Sequence, residues 1–293
     1  MSKLTGLVLA SFLALASCFA AGDDLPMPFS KGLLWKVEKA DARPSHIFGT
    51  IHLDDARVTN LPAPVRQAFA HSTSFTMEMI IDEASTQKFL TAMLLADSSL
   101  QSLLGESLFA ETAGLMAEYG MPQEITARFK PWAVMLTLVL PKERQGVIVD
   151  NVLYQQALSQ KKSVHQLENV EEQISVFDGL PTDVQVGLLK QTVTHHDLIP
   201  GMVEKSIQAY LKRDLGAMWD INNSIMETDT DKRFNETFLQ RVLYDRNARM
   251  VERLQPRLQE GDAFVAMGAL HLYGSKGVLS LLKARGYQIT RMY

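Results

Sequence analysis

Leu33-Leu34-Trp35-Lys36-Val37-Glu38, a break over residues 40–45 that carries Asp41 and Pro44, and then Ser45-His46-Ile47-Phe48-Gly49-Thr50 decide how this chain is built. Two short apolar runs with aromatic and β-branched residues, separated by turn formers, read as a β-hairpin. Working outward, Pro62 and Pro64 open a short helix to His71, and residues 73–80 form a third strand. At the far end, residues 263–267 read as a strand, 275–285 as a helix closed by Gly286, and 287–292 as a last strand. Between residues 83 and 256 the apolar spacing is mostly helical, as in Leu90, Met93, Leu94 and in Leu188, Leu189, Thr192, with one short strand at 163–167. The strands gather at the two ends. Because unpaired strand edges are a liability, the ends are expected to meet in one sheet. The expected class is α/β (α+β), with a sheet built from N- and C-terminal strands and a large helical insert, and residues 33–293 forming a single domain.

Composition narrows the function classes. The chain has 293 residues, a formal net charge of −4, 46% hydrophobic and 21% charged residues, which suits an ordinary globular protein and excludes general disorder. A sequence pI near 6.0 supplies no positive field for phosphates, so no nucleic-acid partner is expected. The single cysteine, Cys18, excludes a disulfide scaffold and any multi-cysteine zinc or iron–sulfur site.

Residues 1–21 read as an export signal: Lys3, a nearly unbroken apolar run from Leu7 to Ala16, small residues, then Gly22-Asp23-Asp24. The run is too short for a membrane span. Leu15-Ala16-Ser17-Cys18 resembles the bacterial lipobox, in which the cysteine is lipidated and becomes the new N-terminus. Cleavage after Ala20 or Gly22, which discards Cys18, is the alternative. The chain is therefore expected to be exported, either periplasmic or anchored to the cell envelope by lipid on Cys18, with no other membrane attachment. Residues 22–32, with Pro26 and Pro28, read as a linker. Ala133–Leu140, between Pro131 and Pro141, is too short to span a membrane and reads as a buried helix.

Two of the seven histidines stand in nearly the same local sequence. Phe48-Gly49-Thr50-Ile51-His52-Leu53 is mirrored by Met267-Gly268-Ala269-Leu270-His271-Leu272. Each follows an apolar strand, and each has glycine three residues before the histidine. A glycine at a strand end allows close approach of backbone or ligand, and the histidine beyond it lies at the carboxyl edge of the sheet, where α/β folds place their sites. A lone histidine there would be a satisfied structural residue; the repeat points to one shared site. Glu78, in the apolar strand Phe75-Thr76-Met77-Glu78-Met79-Ile80, needs a partner, since an unpaired buried carboxylate is very costly. His52, His271 and Glu78 together suit one divalent ion (Mn, Co or Zn) with open positions for water. Glu78 would either ligate that ion or act as general base.

The same residues resemble the TraB/PrgY/GumN family, to which the animal Tiki proteins belong. The resemblance runs from about Leu33 to Tyr293. It includes Leu34-Trp35-Lys36-Val37, both Gly-x-x-His motifs, the strand of Glu78, Ser102-Leu103-Leu104-Gly105, Leu167-Glu168 with Glu172-Gln173, and Arg246-Asn247 with Met250. Tiki members are described as metal-dependent proteases, so the resemblance implies His52, His271 and Glu78 as the functional set. It also carries over Arg246 and Asn247 as substrate-binding residues, with a solvated helix face as the alternative. Glu168 is either a site carboxylate or an N-cap. The chain departs from the family's Gly-Leu-Asp, reading Val147-Ile148-Val149-Asp150. The aspartate is retained, so the change is expected to affect the turn rather than the site.

Other motifs carry less. His195-His196-Asp197 puts adjacent side chains about 100° apart on a helix, which suits a polar helix end better than a chelate. The acidic residues 227–231 lack calcium-loop spacing. Trp132 and Trp219 are expected to pack in helical layers. Serine-hydrolase, nucleotide-binding and zincin motifs are absent from the sequence. The expected function is an exported metal-dependent hydrolase, peptidase-like, acting on a peptide or small molecule. The competing readings are a non-catalytic periplasmic binding protein for a ligand or peptide that uses the same pocket, and an interaction protein tethered through Cys18.

Overall fold

Both termini of the body contribute strands to one mixed sheet. The computed structural model describes residues 27–142, 146–223 and 238–293, so the export signal, Cys18 and the acidic run 227–231 lie outside the described residues. The strands are β1 (Leu34–Glu38), β2 (Ser45–Thr50), β3 (Ser74–Met77), β4 (Ser163–Gln166), β5 (Ala263–Gly268) and β6 (Gln288–Arg291), in the order β4-β3-β5-β2-β1-β6. β1 pairs antiparallel with β2 and β6. β2, β5, β3 and β4 are mutually parallel neighbours. The α/β expectation holds: the hairpin, the third strand, the short middle strand and the C-terminal strand–helix–strand all form.

The described helices, in chain order, are α1 (Ala56–Thr59), α2 (Ala63–His71), α3 (Glu83–Ala92), α4 (Leu100–Leu104), α5 (Glu106–Glu118), α6 (Gln123–Thr126), α7 (Pro131–Leu138), α8 (Val149–Ser159), α9 (Val170–Asp178), α10 (Thr182–Thr194), α11 (Ile199–Leu211), α12 (Leu215–Asn223), α13 (Asp245–Glu260) and α14 (Val278–Ala284).

Among the described residues the chain divides into two compact units. One takes residues 81–142 and 169–203 and is helical. Its α7 is buried along its whole length, as an unbroken apolar run requires. Trp132 stacks on Phe177 and donates its indole N–H to Asp178 at 2.9 Å. His196 lies just past α10 in a 3₁₀ turn, 3.2 Å from the Tyr119 hydroxyl, so it is a structural polar contact rather than a chelating pair with His195.

The other unit holds the entire sheet. β5 reads Ala-Phe-Val-Ala-Met and is buried on both faces, which is what a central parallel strand covered on both sides demands. Phe264 on β5 meets Phe69 of α2 at 5.2 Å and Phe48 of β2 at 6.2 Å, and Phe69 meets Phe75 of β3 at 5.7 Å. That aromatic cluster fixes β2, β5 and β3 side by side beneath one helix. On α13 the buried residues Arg246, Met250, Leu254 and Leu258 recur every four positions, and Asn247 and Val251 flank them. Residues that read as the end of a linker are pinned to this unit. Pro28 accepts from Gly274 N–H at 2.9 Å, Gly32 donates to Arg213 at 2.8 Å, and Lys31 pairs with Asp214.

Candidate functional site

The carboxyl ends of the four parallel strands each deliver one polar group to the same place. His52 lies two residues beyond β2, Glu78 follows β3, Glu168 lies two residues beyond β4, and Gly268 ends β5 and leads into the 3₁₀ turn Ala269–Leu272 that carries His271. In the β2–β5 register Thr50 faces Gly268, so the two Gly-x-x-His motifs are offset by one residue. His52, Glu78, Glu168, Arg246, Asn247 and His271 are all buried. The structure thus brings together every site residue named from the sequence except Cys18, which lies outside the described residues.

Each histidine is held by its Nδ1. His52 Nδ1 lies 3.0 Å from Asp150 Oδ2, and the other oxygen of that carboxylate accepts from the Thr50 hydroxyl at 2.9 Å. A carboxylate accepts only, so Nδ1 carries the proton and Nε2 is left free to bind. Among the described residues, His52 Nε2 is buried with no hydrogen-bond partner. Burial works against charging this ring, but the Asp150 carboxylate and Glu78 outweigh burial and the opposing Arg246, and the pKa is raised. His271 Nδ1 lies 2.5 Å from Asn247 Oδ1, while Asn247 Nδ2 donates to the carbonyl of Lys276 at 2.9 Å. That arrangement fixes the amide and again places the proton on Nδ1. His271 Nε2 faces Arg246 Nη1 at 3.2 Å and Glu78 Oε1 at 3.7 Å. Burial, with Arg246 and His52 adding to it against the pull of Glu78, takes the His271 pKa down to about 3, so this ring is neutral.

Glu78 has both oxygens engaged. Oε1 accepts the Gly268 N–H at 2.6 Å and Oε2 accepts from Arg246 Nη2 at 2.8 Å. Burial alone would raise this carboxyl. The charges of His271, Arg246 and His52, together with the Gly268 N–H, bring it down to about 2. Since His271 is uncharged at neutral pH, the guanidinium, His52 and the backbone donor are what keep Glu78 ionised there. Arg246, fully buried, also grips Glu168 through Nε at 2.9 and 3.0 Å and Nη2 at 2.5 Å, and donates to the Val242 carbonyl at 3.1 Å. Glu168 is therefore a site carboxylate; the N-cap of α9 is Asn169. Asn247 has its carbonyl on His271 and its amide on Lys276, which makes it an orienting group for the imidazole.

The space these groups face is kept open by glycine. A Cβ on Gly268 would stand 3.3 Å from Glu78 Oε1, 3.4 Å from His271 Cδ2 and 3.7 Å from His52 Nε2. Gly49, its counterpart, serves packing instead, since a Cβ there would meet Ala269 Cα and Leu272 Cδ1 at 3.0 Å. Gly49 lets the His271 turn close onto the end of β2.

The donor set suits a divalent cation. Two neutral-capable imidazoles offer Nε2, each backed at Nδ1 by an acceptor, the arrangement that orients histidines toward metals. Two buried carboxylates, Glu78 and Glu168, share the fully buried Arg246 guanidinium, and a third, Asp150, stands against His52. Among the described residues, no group of three or more His, Cys, Asp or Glu side chains is placed to hold a metal ion. Arg246 Nη1 stands against the third donor, His271 Nε2.

Comparison with known proteins decides the family. The TraB/PrgY/gumN family matches residues 33–291. The chain belongs to that family. Within it, the chain is 25% identical to "Metalloprotease TIKI1" of Danio rerio, over 90% of this chain and 64% of that protein. It is 26% identical to "Metalloprotease TIKI2" of Xenopus tropicalis, over 87% of this chain and 59% of that protein. It is 24% identical to "Uncharacterized protein YbaP" of Escherichia coli (strain K12), over 81% and 87% of the two chains. The chain thus spans about three fifths of the length of the Tiki proteins it matches. No solved structure matches.

Asp150 stands in the sequence as the retained aspartate of the family's Gly-Leu-Asp, with no role of its own assigned to it, yet it orients His52. A signal for it exists: Asp150 follows Val147-Ile148-Val149, and a carboxylate in an apolar run needs a partner for the same reason as Glu78.

Proposed function

We propose that this protein is an exported metal-dependent hydrolase, peptidase-like, with His52, Glu78 and His271 around one divalent ion (Mn, Co or Zn). The observation that carries this is the buried, unpartnered Nε2 of His52 aimed at the glycine-lined gap beside Glu78 Oε1. The name "metalloprotease" on relatives at about 25% identity supports the same class. A bound ion supplies Lewis acidity, polarising a carbonyl and acidifying water near neutral pH. Asp150 and Asn247 fix the tautomers that present Nε2. Glu78, held by Gly268 N–H and Arg246, would present Oε1 to the glycine-lined gap as a ligand of the ion or as general base on its water. Arg246, whose N–H groups are held by Glu168, Val242, His271 and Glu78, acts by keeping the Glu78 carboxylate and the His271 ring in place. Export rests on the Lys3 and Leu7–Ala16 signal and attachment on the Cys18 lipobox; Cys18→Ala should release the protein from the membrane fraction while leaving it exported.

The test is metal content per chain, by elemental analysis of the folded protein, beside His52→Ala and His271→Ala variants with unchanged circular dichroism. About one Mn, Co or Zn per chain, lost in both variants and accompanied by peptide cleavage, is the expected result. Absence of metal after each ion is added back would overturn the metal centre. Metal with saturable ligand binding and no product would favour the non-catalytic binding protein.

A further inference from the structure

β4 is the terminal strand of the sheet, and among the described residues no strand pairs with its outer side. Its direction of bonding is readable. Ser163 N–H donates to Thr73 and Leu167 N–H to Met77, both toward β3. Residues in a strand alternate in the side to which their N–H and C=O point. Ser163, His165 and Leu167 therefore bond inward, and Val164 and Gln166 present their main-chain donors and acceptors to the open edge. Ser163 and Gln166 are exposed, and Val164 and His165 are half-buried.

This edge is cationic and leads to the site. Along α13, Arg249 reaches Glu168 at 3.5 Å with its side chain 40% exposed, and its buried Nε has no partner among the described residues. Arg253 donates to the Leu167 carbonyl at 2.5 Å, and Arg257 lies 3.0 Å from His165 Nε2. Exposed Lys161 precedes the strand. Against these stand Glu260, paired with Arg257, and Glu168, paired with Arg249. Two residues past the end of β4, Glu168 grips Arg246.

We infer that the outer edge of β4 binds an extended, acidic peptide as an added strand through the main chain of Val164 and Gln166. The inference rests on the peptidase reading above and names its substrate class. Strand addition gives affinity from main-chain bonds and selectivity from side chains that meet the flanking surface; here the arginines of α13 select acidic residues. The cleaved bond lies well away from the docked residues. The added strand lies one spacing outside β4 and so four spacings from β2, about 19 Å, which an extended chain crosses in about six residues. The substrate must therefore be long. The competing account is a short edge guarded by lysines against wrong pairing, which predicts no peptide binding there.

The probe is a fluorescein-labelled peptide of about twelve alternating Thr and Glu residues, a length that covers edge and crossing, titrated with the full chain by anisotropy. Val164→Pro removes one outward N–H without touching the β3 ladder, as an edge proline does; Val164→Thr retains it. Binding by wild type and Val164→Thr, weakened about tenfold or more in Val164→Pro, is expected from the loss of main-chain bonds. Equal binding by all three, or no binding, overturns the inference. If Val164→Pro fails to fold, peptides N-methylated at odd or at even positions decide with wild-type protein. One set should bind about tenfold more weakly than the other, and equal affinity overturns strand addition. Binding without cleavage would sink the peptidase reading and leave the edge; cleavage with equal affinities would sink the edge and leave the peptidase.

Discussion

Gly49 and Gly268 hold the same place in two near-identical motifs, and the physics separates them. The one-residue offset between β2 and β5 puts Gly268 opposite Thr50 and leaves its missing Cβ as the floor of the site, whereas the Cβ missing from Gly49 makes room for the turn beneath His271. Gly268→Ala, whose φ of −51° and ψ of 133° suit any residue but whose Cβ would press to 3.3 Å from Glu78 Oε1, should lower the melting temperature of the metal-free protein less than Gly49→Ala does, and should abolish metal uptake. Gly49→Ala should cost about 1–3 kcal/mol of stability by overpacking against Ala269 Cα, with metal uptake retained in the folded fraction. Calorimetric melts beside metal titrations check both, and the reverse pattern would refute the assignment. Asp150 belongs to this scale too. Asp150→Asn replaces a pure acceptor with a group that can turn a donor toward Nδ1, and metal affinity should fall about 10–100-fold while circular dichroism stays unchanged.

Among elements, α13 does most to build the site. Its buried stripe Met250, Leu254, Leu258, continued one turn back, lands on Arg246, and Asn247 continues the neighbouring row of Val251. The i, i+4 repetition is visible in the sequence and argues for an inward arginine; the solvated-face alternative treats the charge as the deciding feature. Residues 240–244, just before, form a π-helical segment, a widening that frequently marks function and that apolar periodicity does not reveal. The strands are legible because each is an apolar run with turn formers beside it. The 3₁₀ turn of His271 is not, because its shape depends on packing against β2 rather than on its own four residues. Removing the arginine tests how α13 is fastened. Arg246→Ala leaves Glu78 and Glu168 buried without their cation and should cost about 3–5 kcal/mol. Arg246→Met combined with Glu168→Gln should recover much of that loss in urea unfolding, because one stranded charge is removed as well. A double variant no more stable than the single would show that packing, not charge, dominates.

At the scale of the molecule, the meeting of both chain ends in one sheet aligns four strand ends, and the shifted pKa values there make stability depend on pH. An unfolded His271 would take up a proton below 6.5, but the folded ring refuses it until about 3, so stability falls as pH drops through that window. Glu78 adds loss of the same sign between 4.5 and about 2, because the folded carboxylate resists the proton that the unfolded one accepts. His52 has the opposite sign. Its pKa is raised above 6.5, so its stabilisation is complete below that value and is lost as pH rises through the folded one. The three together place the greatest stability of the metal-free protein near pH 6.5, with limbs of up to about 1.4 kcal/mol per pH unit for each titrating group. Urea midpoints from pH 3 to 9 in the presence of a chelator read this directly. His271→Gln should flatten the acid limb and leave the alkaline one, and His52→Gln should do the converse. A curve without a maximum near neutrality, or limbs indifferent to both substitutions, would mean that the buried charges of the site are not held as the geometry holds them.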